Sequence, residues 1–112
     1  MDISLGQVVY TTVAIANGQQ ESAVIPTGGL SLCGIQLPDT MTGTALTFES
    51  ATTLTGTYQP IYNSAGQVSY TVAGGRYIAI DPKDFYGVQF LKIKSGSAEG
   101  AARSLVCSMK GI

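Results

Sequence analysis

The sequence contains no histidine and no tryptophan, and neither lysine nor arginine occurs before Arg76. Charged residues make up only 12% of the chain. Acid–base, nucleophilic and metal-assisted catalysis each require titratable or ligating side chains gathered at one place. A chain with so few of these groups is not expected to be an enzyme, and we predict neither a cofactor nor a metal site.

The few reactive side chains form no catalytic or metal-binding pattern. Asp81 and Asp84 lie close together, but Asp81-Pro82 followed by Asp84 is typical of a capped helical turn. Serines have no histidine to act as a base, and no Gly-x-Ser-x-Gly motif is present. Cys33 and Cys107 lie in apolar, β-like segments, where free cysteine packs as a small hydrophobe. A disulfide between them remains an open alternative.

Length and composition indicate one folded domain spanning residues 1–112. Hydrophobic residues make up 45% of the chain, which is ordinary for a globular protein. The net charge of −1 provides no general attraction to nucleic acid or to anionic lipid. No run of 18 apolar residues is present, so no transmembrane helix is expected. We predict no nucleic-acid and no membrane partner.

The first half of the chain divides into short strand-like segments separated by turn signals. Val8–Ile15 is rich in β-branched residues and ends before the turn pair Asn17-Gly18. Residues 30–37 change their alternation at Cys33-Gly34, which indicates a β-bulge. Residues 44–50 alternate as a half-buried strand. Pro60 restricts the next strand to a sheet edge or a bulge.

The second half continues the pattern, and the whole chain predicts a single fold class. Residues 68–72 and 77–80 flank Gly74-Gly75 and are expected to form a hairpin. Residues 88–95 and 105–110 alternate as strands, and residues 96–102 are expected to form a flexible hairpin tip. About eight strands and one short helical turn are therefore expected, and an antiparallel two-sheet sandwich of jelly-roll type fits best.

Several exposed side chains are candidates for contacts with a partner. Phe90, Lys92 and Lys94 lie on one face of a predicted strand, and tyrosines such as Tyr58 and Tyr62 can anchor an interface or stack on sugar rings. The alternative is that most tyrosines are ordinary sheet residues. Further candidates for partner contacts are Arg76, Arg103 and the uncharged stretch from Ile3 to Tyr10.

Charge is distributed unevenly along the chain. The part up to Gly75 holds four acidic residues and no basic ones, whereas the part from Arg76 onward holds six basic and three acidic residues. The two parts therefore carry charges of −4 and +3. Complementary charged faces that dock on a second copy or on a partner are one interpretation. Simple scatter of a few charges is the other.

Five segments resemble small jelly-roll virion proteins of tailed bacteriophages: TALTFES (44–50), GTYQPIY (56–62), GRYIAIDP (75–82), FxGxxFLKIKSG (85–96) and ARSL (102–105). The resemblance implies a capsid decoration or cement protein. Such a protein would be made in the host cytoplasm, assemble as a dimer or trimer, and bind the outside of the head, where it bridges major capsid protein subunits. The resemblance assigns no catalytic residue and no particular contact residue.

The sequence therefore predicts adhesion through a folded surface and not chemistry in a pocket. Besides a decoration protein, two alternatives remain: a tail, baseplate or head-fibre component, and a carbohydrate-binding β-sandwich module.

Overall fold

The computed structural model describes residues 8–111, and the regular secondary structure of this part of the chain is almost entirely antiparallel strand. Its one helical element is a single 3-10 turn, Pro82–Phe85. No helix among the described residues is long and apolar enough to cross a membrane. The strands are β1 (Val8–Ile15), β2 (Ile25–Pro26), β3 (Ser31–Gln36), β4 (Ala45–Ala51), β5 (Gln59–Pro60), β6 (Tyr62–Asn63), β7 (Gly66–Gln67), β8 (Ser69–Thr71), β9 (Tyr77–Ala79), β10 (Phe90–Ser95) and β11 (Arg103–Lys110).

Two sheets pack as a sandwich, and the chain crosses repeatedly from one to the other. Sheet 1 has the strand order β1-β11-β3-β9. Sheet 2 has the order β2-β10-β4-β5, and β8 also pairs with β4. Consecutive strands mostly lie in different sheets, which is the interleaved connectivity of a jelly roll. The predicted fold class is confirmed.

The outer strand beside β4 is interrupted by a small hairpin. β5 pairs with one end of β4 and β8 with the other, while β6 and β7 pair only with each other. Gly66 has a φ of 128°, which suits a tight turn, and Asn63 Oδ1 accepts a hydrogen bond from Ala65 N. If β5 to β8 are counted as one interrupted strand, the sandwich has the eight strands that the sequence predicts. Pro60 lies at the sheet edge, as expected.

The core lies between the sheets and follows directly from period-2 alternation. Phe48 and Leu91 of sheet 2 face inward, and Leu105 of sheet 1 faces them. Phe85, from the 3-10 turn, packs edge-on against Phe48, with ring centroids 5.1 Å apart. The turn is capped as the sequence predicts, because the Asp81 side chain accepts a hydrogen bond from Lys83 N.

Two local predictions of the sequence are confirmed. The β3–β11 register shifts at Ser108 and Met109, opposite Cys33-Gly34, which is the expected bulge. Gly18 has a φ of 82° in the turn after β1.

Two other predictions are wrong. Gly74-Gly75 joins no hairpin, because β8 pairs in sheet 2 whereas β9 pairs in sheet 1. The connection instead crosses between the sheets, and Gly75 N donates to Pro38 O. Residues 96–102 do not form a free hairpin tip, because Glu99 in this loop is buried.

Candidate interaction surfaces

The outer face of sheet 1 is almost uncharged. Residues paired across adjacent strands share a face, so the face opposite the core can be read from the registers. Lys110, at one end, is the single charged residue that the described part of the chain places there. The other members are neutral: Val8, Tyr10, Thr12, Ala14, Ser104, Val106, Ser108, Gly34, Gln36, Tyr77 and Ala79. This is a surface of hydroxyl, methyl and aromatic groups.

Tyr77 fills a gap on this face. Its ring lies over Gly34, where a Cβ atom would collide with the tyrosine ring. Tyr77 Oη donates to Ser108 Oγ at 3.0 Å, and the Ser108 side chain is buried beneath it. An aromatic ring that covers a glycine restores the packing that a side chain at that position would have given. Tyr77 remains 55% exposed, so the ring also forms part of the outer surface.

One edge of sheet 1 is open. β1 pairs with β11 over its whole length. On the other side of β1, Ile15 bridges to Ser22, and the Ala14 carbonyl accepts from Ala23 N at 3.2 Å. Within residues 8–111, nothing else pairs with this side of β1, so the strand is open from residue 8 to residue 13. Val8, Val9 and Tyr10 are exposed here, and Tyr10 reaches 68% exposure. Of the candidate stretch from Ile3 to Tyr10, the part before Val8 lies outside the described residues.

The outer face of sheet 2 brings together Phe90, Lys92 and Lys94, as the alternation predicts, but Lys92 is engaged within the chain. Lys92 Nζ lies 3.6 Å from Glu21 Oε2 and 4.4 Å from the centroid of the Tyr58 ring. Tyr58 Oη also donates to Leu54 O at 2.7 Å. The charge of Lys92 is therefore partly neutralised, and the lysine covers one face of the Tyr58 ring.

Glu49 completes this group of charges. It lies opposite Lys92 across β4 and β10, and its Oε1 atom is buried without a hydrogen-bond partner among the described residues. Burial raises the pKa of Glu49, and the neighbouring Glu21 raises it further, while Lys94 and Lys92 oppose the shift. Acids from the first part of the sequence thus meet bases from the second part inside one chain. Part of the charge asymmetry along the sequence is therefore offset within one chain.

Arg103 is held by a buried carboxylate that the sequence did not reveal. Glu99 is 1% exposed. Its Oε1 atom accepts from Thr42 N at 2.8 Å and from Arg103 Nε at 2.9 Å. Its Oε2 atom accepts from Gly43 N at 2.8 Å and from Ser95 Oγ at 2.7 Å. Burial alone would raise the pKa of Glu99, but these hydrogen bonds outweigh it and lower the pKa to about 2.

This arrangement, which we call the Glu99 clamp, ties the loop after β10 to the loop before β4. The Arg103 side chain is only 14% exposed and is committed to the clamp. Arg103 therefore has a structural role within the fold. The sequence signal for the clamp is the spacing of four between Glu99 and Arg103. The glycines and serines of the same loop instead predict a mobile tip.

Tyr62 lies beside an open groove of about 780 Å³. Arg76 is not part of this groove and is exposed just before β9. Tyr62 is 65% exposed. Asp84 lies across the groove and accepts a hydrogen bond from Asn63 Nδ2 at 3.3 Å. The groove is lined by Ser50, Thr52, Thr57, Gln59, Pro60, Tyr62, Asp84 and Val88, among others. The sequence-predicted contact residues therefore do not form one site: Tyr58, Lys92, Lys94 and Phe90 cluster, whereas Tyr62, Arg76 and Arg103 lie apart.

Within residues 8–111, no group of three or more Cys, Asp or Glu side chains could hold a metal ion. Cys33 and Cys107 are free thiols. Cys107 is buried in the core, and burial raises its pKa to about 12. Cys33 lies at the bulge, where its Sγ atom donates to Ser108 O at 3.3 Å.

Comparison with known proteins gives no family assignment. No protein-family model matches the chain, and a search of curated proteins finds no match. Among solved structures, the chain is similar to the Yersinia pseudotuberculosis-derived mitogen, with 12% sequence identity and a TM-score of 0.45. The match covers 96% of this chain and 88% of the mitogen chain.

Proposed function

We propose that this protein is a virion structural protein of a tailed bacteriophage, a decoration or cement protein that binds the outside of the head and bridges major capsid protein subunits. The observation that carries the proposal is the outer face of sheet 1, which is broad, strand-built and neutral apart from Lys110. Such a face can lie against another protein surface without the cost of burying unpaired charges.

Two further features support an adhesive role. The two sheets enclose one continuous hydrophobic core, so the outer surface lies on a rigid scaffold. The resemblance of five sequence segments to phage virion proteins points to the same role. Many copies on a regular shell would also make weak individual contacts effective, because attachment at neighbouring sites adds up. Binding only the assembled shell would stabilise that shell by linkage.

The direct test is attachment to heads of the cognate phage. Purified protein is mixed with heads that lack it, and bound protein is measured by co-sedimentation, followed by heating of the heads. We expect saturable binding and a higher temperature of head disruption. Heads that bind none of the protein, or that bind it without any gain in heat resistance, would refute the proposal.

A matched pair of double variants locates the contact. Gln36→Lys with Ser104→Lys places two charges on the outer face of sheet 1. Ser69→Lys with Thr71→Lys places the same charges on exposed strand positions of sheet 2. We expect the first pair to weaken attachment and the second to leave it unchanged, with circular dichroism verifying that both remain folded. The reverse result would move the contact to sheet 2, near Lys92 and Lys94.

A position in the tail, baseplate or a head fibre is the alternative within the same class. Electron microscopy of virions labelled with an antibody against the protein separates the two positions, because label confined to the tail excludes the head.

A carbohydrate-binding role is the second candidate, and the groove beside Tyr62 is the observation that favours it. An exposed aromatic ring next to Gln59, Asp84 and threonine hydroxyls suits a neutral sugar, since the ring can stack on the apolar face of the sugar and the polar groups can bind its hydroxyls. Tyr58 suits this role less, because Lys92 covers one face of its ring. A glycan array tests the role. Tyr86 is an exposed tyrosine outside the groove, so Tyr86→Ala is the control. Glycan binding that is lost in Tyr62→Ala and kept in Tyr86→Ala would favour this role over a decoration role.

A further inference from the structure

The open edge of β1 has a regular pattern of free backbone groups. In a strand, the N–H and C=O of one residue point to the same side, and this side alternates from residue to residue. The Ala14 carbonyl points away from β11, because it accepts from Ala23 N. The N–H and C=O groups of Val8, Tyr10 and Thr12 therefore point outward as well. Within the described chain, these six groups have no hydrogen-bond partner.

These groups are symmetric about Tyr10. A second, antiparallel copy of β1 that places Tyr10 opposite Tyr10 also places Val8 opposite Thr12 and Thr12 opposite Val8. All six groups of each copy then find partners. A pairing centred on Thr11 would bring Val8 against Ala14, whose carbonyl is already used, and would leave some groups without partners. Of these two registers, the backbone therefore favours the one centred on Tyr10.

The side chains suit the same register. β1 carries no charge and no proline, which are two of the devices by which edge strands avoid pairing with another chain. Val9, which is 44% exposed, would pack beside Thr11 of the second copy on the inner side. On the outer face the two Tyr10 rings would lie side by side, and aromatic pairs across strands are stabilising. Because β1 is neutral, a second copy meets no electrostatic repulsion there.

We propose that two copies of this chain pair through β1 in an antiparallel arrangement, with a two-fold axis at Tyr10. Their sheets join into one eight-stranded sheet in the order β9-β3-β11-β1-β1-β11-β3-β9. The interface is isologous, as is usual for a dimer with two-fold symmetry. This inference does not depend on attachment to a phage head, and its failure would leave the proposed function open.

The test uses the full chain and three variants in analytical ultracentrifugation. Thr12→Pro removes one outward N–H, which β11 does not use, so the fold keeps its own ladder. Tyr10→Lys sets two like charges opposite each other at the axis. Gln36→Lys adds the same charge to the same face, two strands away from the edge, and serves as the matched control. We expect a dimer for the unmodified chain and for Gln36→Lys. For Thr12→Pro and Tyr10→Lys, the dissociation constant should rise at least about tenfold. The proline removes an N–H that the pairing uses, and the lysines place like charges opposite each other in the sheet, which destabilises it.

Hydrogen exchange gives a second readout that does not depend on the variants. The amides of Tyr10 and Thr12 should become protected as protein concentration rises. A chain that remains monomeric at its highest soluble concentration overturns the proposal. Equal weakening by Gln36→Lys overturns it as well, because the contact would then be made by the face. Two exchange results would also overturn the proposal: protection of these amides in the monomer, and protection that appears only after heads are added. In either case the edge would be covered by something other than a second copy.

Discussion

Replacing Glu99 by glutamine should cause a large loss of stability, and the loss should depend on pH in a defined way. The carboxylate accepts four hydrogen bonds, two at each oxygen. Glutamine keeps the shape but turns one acceptor into an NH2 donor. Because every partner of Glu99 donates in the present structure, either orientation of the amide places its NH2 against two donors. Arg103 also loses its partner charge.

The pKa sets the scale of the effect. The pKa of Glu99 falls from 4.5 to about 2. At about 1.4 kcal/mol per pKa unit, the ionised carboxylate contributes about 3 kcal/mol to the free energy of unfolding. A lowered pKa gives a contribution that is complete above pH ~4.5 and is lost as the pH falls toward ~2. At pH 3 less than half of it should remain. With the unmatched amide added, Glu99→Gln should cost about 3–5 kcal/mol at pH 7.

Urea unfolding followed by circular dichroism and tyrosine fluorescence measures the effect between pH 7 and pH 3. We expect the gap between the original protein and Glu99→Gln to shrink by about 2 kcal/mol over this range, because only the original protein loses the contribution of an ionised Glu99. Asp39→Asn is the matched control, since Asp39 is exposed and the same carboxyl-to-amide change there should have little effect.

Two results would refute this reasoning. One is a cost below about 1 kcal/mol at pH 7, which would mean that the clamp contributes no more than an ordinary surface group. The other is a gap that stays constant with pH, which would mean that the loss comes from packing and not from the charge. If Glu99→Gln fails to fold, Arg103→Met removes one of the four donors to Glu99. It should show a smaller cost, and the gap should shrink by less on acidification, because the hydrogen bonds from Thr42, Gly43 and Ser95 remain.

Three further outcomes are expected. Glu49→Gln should leave the stability at pH 7 unchanged or raise it. The raised pKa of Glu49 means that the folded state disfavours its charged form, and glutamine carries no charge. Clear destabilisation in urea unfolding would contradict this. Gly34→Ala should destabilise the protein by about 1–3 kcal/mol through the collision with Tyr77, and a double-mutant cycle with Tyr77→Ala should recover part of the loss; additive costs would exclude the contact. In native protein at pH 8, a thiol reagent should modify Cys107 only after unfolding, whereas Cys33, being less buried, should react first; rapid modification of both thiols would contradict the burial of Cys107.

The strands of this fold could be predicted from the sequence because alternation and turn residues are local signals. β1 has the predicted bounds, and residues 105–110 alternate between the two faces of sheet 1 as expected, with Tyr77 covering Ser108 on the outer face. The Gly74-Gly75 connection could not be predicted in the same way. A hairpin and a crossover between sheets use similar turn residues, and the difference depends on which distant strand, β4 or β3, each neighbour pairs with.

The candidate surfaces were predictable only in part. The alternation of β10 places Phe90, Lys92 and Lys94 on one face, but the positions of Glu21 and Glu49 beside Lys92 depend on pairings far apart in the sequence. The burial of Glu99 is of the same kind. Its partners come from two loops, and a charged residue between glycines and serines is read locally as solvated.

The internal pairing of charges bears directly on how the protein can bind a partner. Glu21 and Glu49 lie beside Lys92 and Lys94, and Glu99 pairs with Arg103, so about half of the charged side chains in the described chain are offset by a neighbour of opposite sign. The outer face of sheet 1 is left nearly neutral. Recognition through that face must therefore come from shape, from neutral hydrogen bonds and from burial of groups such as Tyr10. Such contacts are short-ranged, and they favour a partner that is already held at a fixed spacing, as in a shell of repeated subunits or in a symmetric pair.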